Sequence, residues 1–227
     1  MYDIDFSSDD ILNIIGNLNA NKAHGYDNIS IRIVKIFGKS ICRPLELIFR
    51  SCLAAGKFPQ IWKKANVIPI HKKNEKNLLK NYRPISLLPI CSKIFERLIF
   101  NSIYNYISKN NLLSPNQSGF RHGDSCTNQL LSIVHNIHSS FDAYNSLEVR
   151  GVFLDMSKAF DKVWHDGLIY KLKNFGIKGR LLSLLTDFLS NRSQRVALNG
   201  QYSEWKYIKA GVPQGSILGP LLFLIYI

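Results

Sequence analysis

The 227-residue chain has little cysteine (four residues), little methionine (two) and a shortage of acid: 16 Asp and Glu stand against 29 Lys and Arg, a formal net charge of +13. Cys42, Cys52, Cys91 and Cys126 form no Cys-x-x-Cys pair and have no histidine at metal-ligand spacing. That pattern excludes a disulfide framework and gives no zinc motif, so the four are expected to be buried, reduced thiols. The first ten residues, MYDIDFSSDD, lack the basic start and apolar core of a signal peptide, and an intracellular location is the expectation. Long apolar runs are missing too. The longest, Ile217 to Ile227, is about half of the ~20 residues that span a membrane, and Gly219-Pro220 interrupts it. No membrane span is expected.

What is present is a chain 46% hydrophobic, long enough to bury roughly 70% of its unfolded surface around one core. Its basic excess attracts polyanions and makes nucleic acid or an anionic membrane surface the first partners to consider. Ser7-x-x-Asp10 reads as a capping box ahead of Ile11, Ile14, Ile15 and Leu18 at helical spacing. Further helices are predicted over Ile41 to Ala55, Cys91 to Ser108, Ser125 to Tyr144, Gly167 to Phe175 and Gly179 to Ser190. In the fourth, Leu130, Leu131, Val134, Ile137 and Phe141 are expected to face inward. His135 and His138 on that helix lack a third ligand and read as ordinary histidines.

Ala65 to Ile70 is a strand candidate. The run His71 to Arg83 (HKKNEKNLLKNYR) carries four Lys and one Arg against one Glu, a density too costly to bury, and belongs on a loop or hairpin facing solvent or a polyanion. Leu147 to Asp155 reads as a strand covered on both faces, with Val152-Phe153-Leu154 at its centre and a carboxylate at its end. Arg195 to Leu198 and Gln201 to Ile208 flank Asn199-Gly200, a hairpin signal because both turn residues tolerate positive φ. Pro220 is placed to open a last helix whose uniformly apolar residues are expected to be buried by chain lying beyond Ile227. With helices and strands mixed and no repeat or linker, the expected fold is one α+β unit.

Two places carry candidate chemistry. An aspartate at the end of a buried strand, Asp155, exposes a carboxylate where a divalent cation could bridge it to substrate phosphates, although a lone Asp there reads on its own as a structural helix cap. GVPQGS (211 to 216) combines two permissive glycines, a stiffening proline and the amide of Gln214 just before a helix, a plausible cradle for a phosphate or a base. Asp161 and Asp166 read as caps of the segment after Asp155, and Asp9-Asp10 as first-turn acids that favour the helix dipole.

Four segments in order, NYRPISLLP (81 to 89), QSGFRHGDS (117 to 125), FLDMSKAFDKVWH (153 to 165) and AGVPQGSILGPLLFLIYI (210 to 227), resemble the reverse transcriptase domain of non-LTR retrotransposons, the jockey-like LINE elements. NKAHGYDNIS and GKFPQIWKKANVIPIHKK are similar to the segment such elements carry ahead of the fingers. The resemblance implies the fingers and palm of a right-hand polymerase fold, as one incomplete domain over 1–227 with an N-terminal extension over 1–60. It implies an RNA-directed DNA polymerase that joins dNTPs to a primer 3′-OH, with RNA template and DNA primer but no membrane as partners, two Mg2+ ions as cofactor, and action in the nucleus.

Residue by residue, the resemblance makes Asp155 the first catalytic aspartate and metal ligand, with the Met156 carbonyl beside it. Phe160 becomes the aromatic gate against a ribose 2′-OH, and Gln214 a residue of the nucleotide pocket. Lys72 and Arg83 hold the triphosphate, with Lys73 an alternative to Lys72, and Lys73, Asn81 and Gly215 meet template or primer. The family's Tyr-x-Asp-Asp turn does not occur in these 227 residues, so the rest of the palm and the thumb are expected to be missing and the chain alone to be inactive. A non-catalytic nucleic-acid-binding remnant is the alternative.

Overall fold

The computed structural model describes residues 1–142 and 148–227, and among these eight α-helices and five strands are formed. The predicted capping box closes α1 (Ser8–Gly16): the Ser7 hydroxyl accepts from the Asp10 N–H, and the Asp10 carboxylate accepts from the Ser7 N–H at 2.8 Å. α2 (Ile31–Phe37), capped by Ser30, is not anticipated by the sequence reading; Gly38, at φ 44°, turns the chain out of it into α3 (Lys39–Ala55). α4 (Ile90–Lys109), α6 (His165–Asn174) and α7 (Gly179–Leu189) lie within two residues of their predicted bounds.

The sheet has the order β2 (Tyr82–Leu87), β1 (Lys64–His71), β3 (Ser193–Leu198), β4 (Gln201–Tyr202), with β5 (Lys206–Tyr207) pairing the start of β3. β1 runs antiparallel to β2 and parallel to β3, and β3 turns back into β4 through Asn199-Gly200, whose φ angles of 50° and 77° are those the hairpin signal requires. The predicted strand Gln201 to Ile208 is broken in two, because β4 and β5 pair with different ends of β3.

The core is held by α1, α3, α4, α6, α7 and the last helix, α8 (Leu218–Tyr226). At its centre Phe95 of α4 stacks on Phe49 of α3 at 4.6 Å and on Phe58 at 5.7 Å, while Phe58 meets Phe188 of α7 edge-on at 5.0 Å. Residues from the first 60 positions therefore share one core with the rest. Leu221 to Ile225 are buried, with α8 packed on α4 and α6. That part of the terminal apolar run is covered by helices of this chain, while Ile227 is 53% exposed.

Three further expectations are corrected. Of the predicted strand Leu147 to Asp155, Leu147 lies outside the described residues, and 148–155 form no strand: Val152, Phe153 and Leu154 are 81%, 89% and 92% exposed. A strand exists only where a neighbour takes its N–H and C=O groups, and none of the five strands runs beside this segment. α5 (Cys126–Phe141) forms, but none of its residues is buried; Leu130 and Leu131 of its apolar face are 62% and 64% exposed, and no α5 residue belongs to the core cluster. Tyr144, the predicted helix end, lies outside the described residues. The cysteines are free, yet only Cys42 is buried and Cys126 is exposed; burial pushes the Cys91 thiol up to about 11, which keeps it protonated. Among the described residues no helix is long and apolar enough to cross a membrane.

Two consequences are measurable. Phe95→Ala should lower stability by about 3–5 kcal/mol, read in chemical denaturation, because it empties the centre of the aromatic cluster. The nearly buried Glu46 carboxylate accepts from Ser8 Oγ (2.6 Å), Arg50 Nε (2.9 Å) and Arg43 Nη1 (3.1 Å), which together hold it from the ordinary 4.5 down to about 2. A depressed carboxylate favours the fold fully above its unfolded pKa, and that contribution is lost as pH falls through the folded value. The melting-temperature gap between wild type and Glu46→Gln should therefore be widest above pH 5 and close towards pH 2.

Candidate functional site

β1 and β2 cross with their prolines side by side, Pro69 opposite Pro84, and Val67 opposite Val196 of β3, so one face of the sheet presents these side chains together. That face lines a cleft of about 580 Å³. Lys72 and Arg83 stand at its rim, and across from them are Asp155, Met156, Lys158, Asp161 and Gln214. Five of the residues singled out in the sequence, separated by up to 142 positions, thus share one cavity. The chain reaches it from Asp155 through Lys158, which adopts the left-handed conformation at φ 54° and turns into the short 3-10 segment Ala159–Lys162.

The GVPQGS turn is fixed by hydrogen bonds on both sides. Gly211 N–H donates to the Val163 carbonyl and Val212 N–H to the Phe160 carbonyl, both at 2.8 Å, while the Gln214 carbonyl accepts from Ser86 N–H of β2 at 2.7 Å. The two glycines are required by space as well as by φ, at 89° and 115°. A Cβ on Gly211 would lie 2.7 Å from the Asp161 carbonyl oxygen, and one on Gly215 would lie 2.6 Å from that of Ser86. The Gln214 side chain donates from Nε2 to Asp161 Oδ1 at 2.9 Å. Asp161, read from the sequence only as a cap, is thereby a member of the site; its spacing from Gln214 gives no local signal.

A second group below the turn also escapes sequence reasoning. Glu96 of α4, with no exposed surface, accepts from Ser92 Oγ at 2.8 Å and from the N–H groups of Ile217 and Leu218 at 2.8 and 3.3 Å. Together with Ser216, whose Oγ accepts from the Gly219 N–H at 2.9 Å, it satisfies N–H groups at the start of α8, where the N-cap residue Ile217 has no side-chain cap of its own. Burial pushes the Glu96 carboxyl up and the Arg192 guanidinium down to about 10, and the opposite charges counter this in both. Arg192 is itself buried over the Phe188 ring at 4.6 Å.

Not every sequence candidate reaches the cleft. Phe160 sits beside Gln214 and Gly215 in a smaller adjoining pocket of about 190 Å³, stacked on Phe223 at 4.6 Å. Asn81 is buried, and its amide donates to the Glu75 carbonyl at 2.7 Å, so it holds the β1–β2 turn. Lys73 is exposed on that turn and does not line the cavity. Asp9 and Asp10 remain in the first turn of α1, and His135 and His138 are exposed on α5.

Among the described residues no three His, Cys, Asp or Glu side chains are gathered as metal ligands. The cleft holds two carboxylates, Asp155 and Asp161, the second already accepting from Gln214. The exposed Asp155 carboxylate is the type of ligand a hard divalent cation takes together with phosphate oxygens, while Lys72 and Arg83 suit the phosphates; one carboxylate does not supply the ligands for two ions.

Comparison with known proteins gives this arrangement its context. Residues 70–227 match the family model described as reverse transcriptase (RNA-dependent DNA polymerase). The chain is 37% identical over 220 residues to the RNA-directed DNA polymerase from mobile element jockey of Drosophila melanogaster, and 36% identical over 219 residues to the probable RNA-directed DNA polymerase from transposon BS of the same species. It is 34% identical over 222 residues to the probable RNA-directed DNA polymerase from transposon X-element, also of that fly. These alignments cover 96%, 96% and 97% of this chain and 24% of each relative, so the chain spans about a quarter of the length of the curated relatives it matches. The match to the family model takes in both sides of the cleft, from the Lys72–Arg83 rim to the turn that holds Gln214, and on that ground the chain belongs to the reverse transcriptase (RNA-dependent DNA polymerase) family.

Proposed function

We propose that the cleft is the nucleotide site of an RNA-directed DNA polymerase, in which a dNTP is joined to a DNA primer on an RNA template. The observation that carries this reading is the assembly of Lys72, Arg83, Asp155, Met156 and Gln214 around one cavity of about 580 Å³. A triphosphate is a dense anion, and two exposed cations on the β1–β2 arm, sharing the cavity with the Asp155 carboxylate, form the charge pattern that seats it with a metal cation on its far side. The fingers and palm of a right-hand polymerase are the natural names for the two walls, β1–β2 and the Asp155 to Gln214 wall.

Asp155, with the Met156 carbonyl, would hold a divalent cation, Mg2+ in this reading, that neutralises charge on the transferring phosphate. Lys72 and Arg83 bind the β- and γ-phosphates and orient the leaving group away from the primer. Gln214, its amide held by Asp161, fixes the floor against which sugar and base rest, and Phe160, adjoining Gln214, crowds a ribose 2′-OH. Phosphoryl transfer asks the protein chiefly for this positioning and charge neutralisation. The template–primer duplex is gripped through its backbone by the basic surface, and action in the nucleus is part of the same reading.

Equilibrium dialysis with labelled dTTP and Mg2+ tests the reading. Saturable binding is expected, with Lys72→Ala and Arg83→Ala each weakening it about tenfold or more, as loss of a charge-assisted contact does, and Asp155→Asn removing its dependence on Mg2+. Absence of binding, or binding that none of these changes alters, refutes the assignment. In the same assay Phe160→Ala should let ATP compete with dATP more nearly as an equal; an unchanged ratio would remove Phe160 from the gate role.

A further inference from the structure

The side of the sheet turned away from the cleft carries a second constellation. Strand alternation puts Val67 and Val196 on the cleft face and Lys64, Asn66 and Arg195 on the other, since Asn66 pairs with Arg195 across the parallel ladder. There the Arg195 guanidinium lies between two rings, 4.0 Å from the centroid of Tyr202 and 4.7 Å from that of Trp205. Its Nε donates to Asn66 Oδ1 at 2.8 Å, which fixes the plane of the group. Lys64 Nζ stands 5.5 Å over the same Trp205 ring, and Tyr26 meets Trp205 edge-on at 5.7 Å, its own hydroxyl donating to the Ile61 carbonyl.

Two features of this cluster call for a ligand. Neither Lys64 nor Arg195 has a carboxylate within 4 Å among the described residues, so both positive charges are uncompensated. Tyr202 is 56% exposed although Arg195 covers one side of its ring. A guanidinium already ordered between rings, with its terminal N–H donors free of any carboxylate, meets a phosphodiester without further loss of side-chain freedom. The open aromatic surface offers a place for an unpaired base, whose π-face a duplex would hide. We propose that this outer face, built from Lys64, Arg195, Tyr202 and Trp205, binds single-stranded polynucleotide by phosphate contact and base stacking, separately from the nucleotide cleft. The proposal goes beyond the reading of the cleft and stands without it.

Fluorescence anisotropy of the full chain with end-labelled 12-nucleotide oligouridylate and oligothymidylate tests this, with an RNA–DNA duplex of the same length alongside. Tyr202→Ala is expected to weaken binding of the single strand about tenfold, as loss of one stacked base does, whereas Tyr202→Phe keeps the ring and the affinity. Arg195→Ala should lower affinity and reduce the slope of log affinity against log salt by about one. Binding of the duplex, and dTTP binding in the cleft, should stay within about twofold in all three variants. That pattern with either sugar supports the proposal. Wild-type affinity in Tyr202→Ala and Arg195→Ala overturns it, and so does an equal loss for single strand and duplex.

Discussion

The buried carboxylate of Glu96 is the constraint on which the arrangement of the site depends. A charge without solvent is tolerated only when its acceptor capacity is used, and Glu96 uses it on Ser92 and on the first two N–H groups of α8. The helix it caps is apolar, and Ser216, whose Oγ accepts from the Gly219 N–H, helps to hold its start. By fixing where α8 begins, Glu96 fixes where the GVPQGS turn must end. The turn then has one position in which Gly211 can pass over Asp161 and Gly215 over Ser86, and Gln214 is delivered to the cleft as a consequence.

The same logic of close backbone contact joins the two walls. Ser86 of β2 donates to the Gln214 carbonyl, and Phe160 and Val163 accept from the turn, so the cationic arm and the carboxylate-bearing segment are both tied to one short loop. Packing beneath is supplied by the aromatic cluster of Phe49, Phe58, Phe95 and Phe188. Binding energy at the cleft is thereby insulated from loop entropy, because the donors and acceptors that orient Gln214 are already in place before any ligand arrives.

Charge is distributed to match. The exposed Lys72, Lys73, Lys76, Lys80 and Arg83 lie on one arm, whereas most acids are committed locally: Asp10 to the α1 cap, Glu46 to Arg43, Arg50 and Ser8, and Asp187 to Lys63 at 2.7 Å. Burial pushes the Asp187 carboxyl up, but the Lys63 ammonium and the Phe58 N–H outweigh it and hold it below the usual carboxylate range. Acid is spent on the fold and base is left for the surface, which gives a net charge of +13 a direction as well as a size.

The sequence by itself determined whatever is set within a few residues. Ser7 and Asp10 close a cap three positions apart, and Asn199-Gly200 turns β3 into β4, because the interactions are local and residue-specific. It also named the cleft residues Asp155, Gln214, Lys72 and Arg83, through their ordered resemblance to a family. Only the tertiary structure decided that Asp161 holds Gln214, that Glu96 caps α8 and that Asn81 is spent inside the β1–β2 turn, since these contacts join positions with no pattern between them or follow from how a turn is packed. The same holds for the misread segments. The apolar 152–154 run and the face of α5 have the patterns of buried elements, but burial is a property of a neighbour, and Val152, Phe153, Leu154, Leu130 and Leu131 stay exposed.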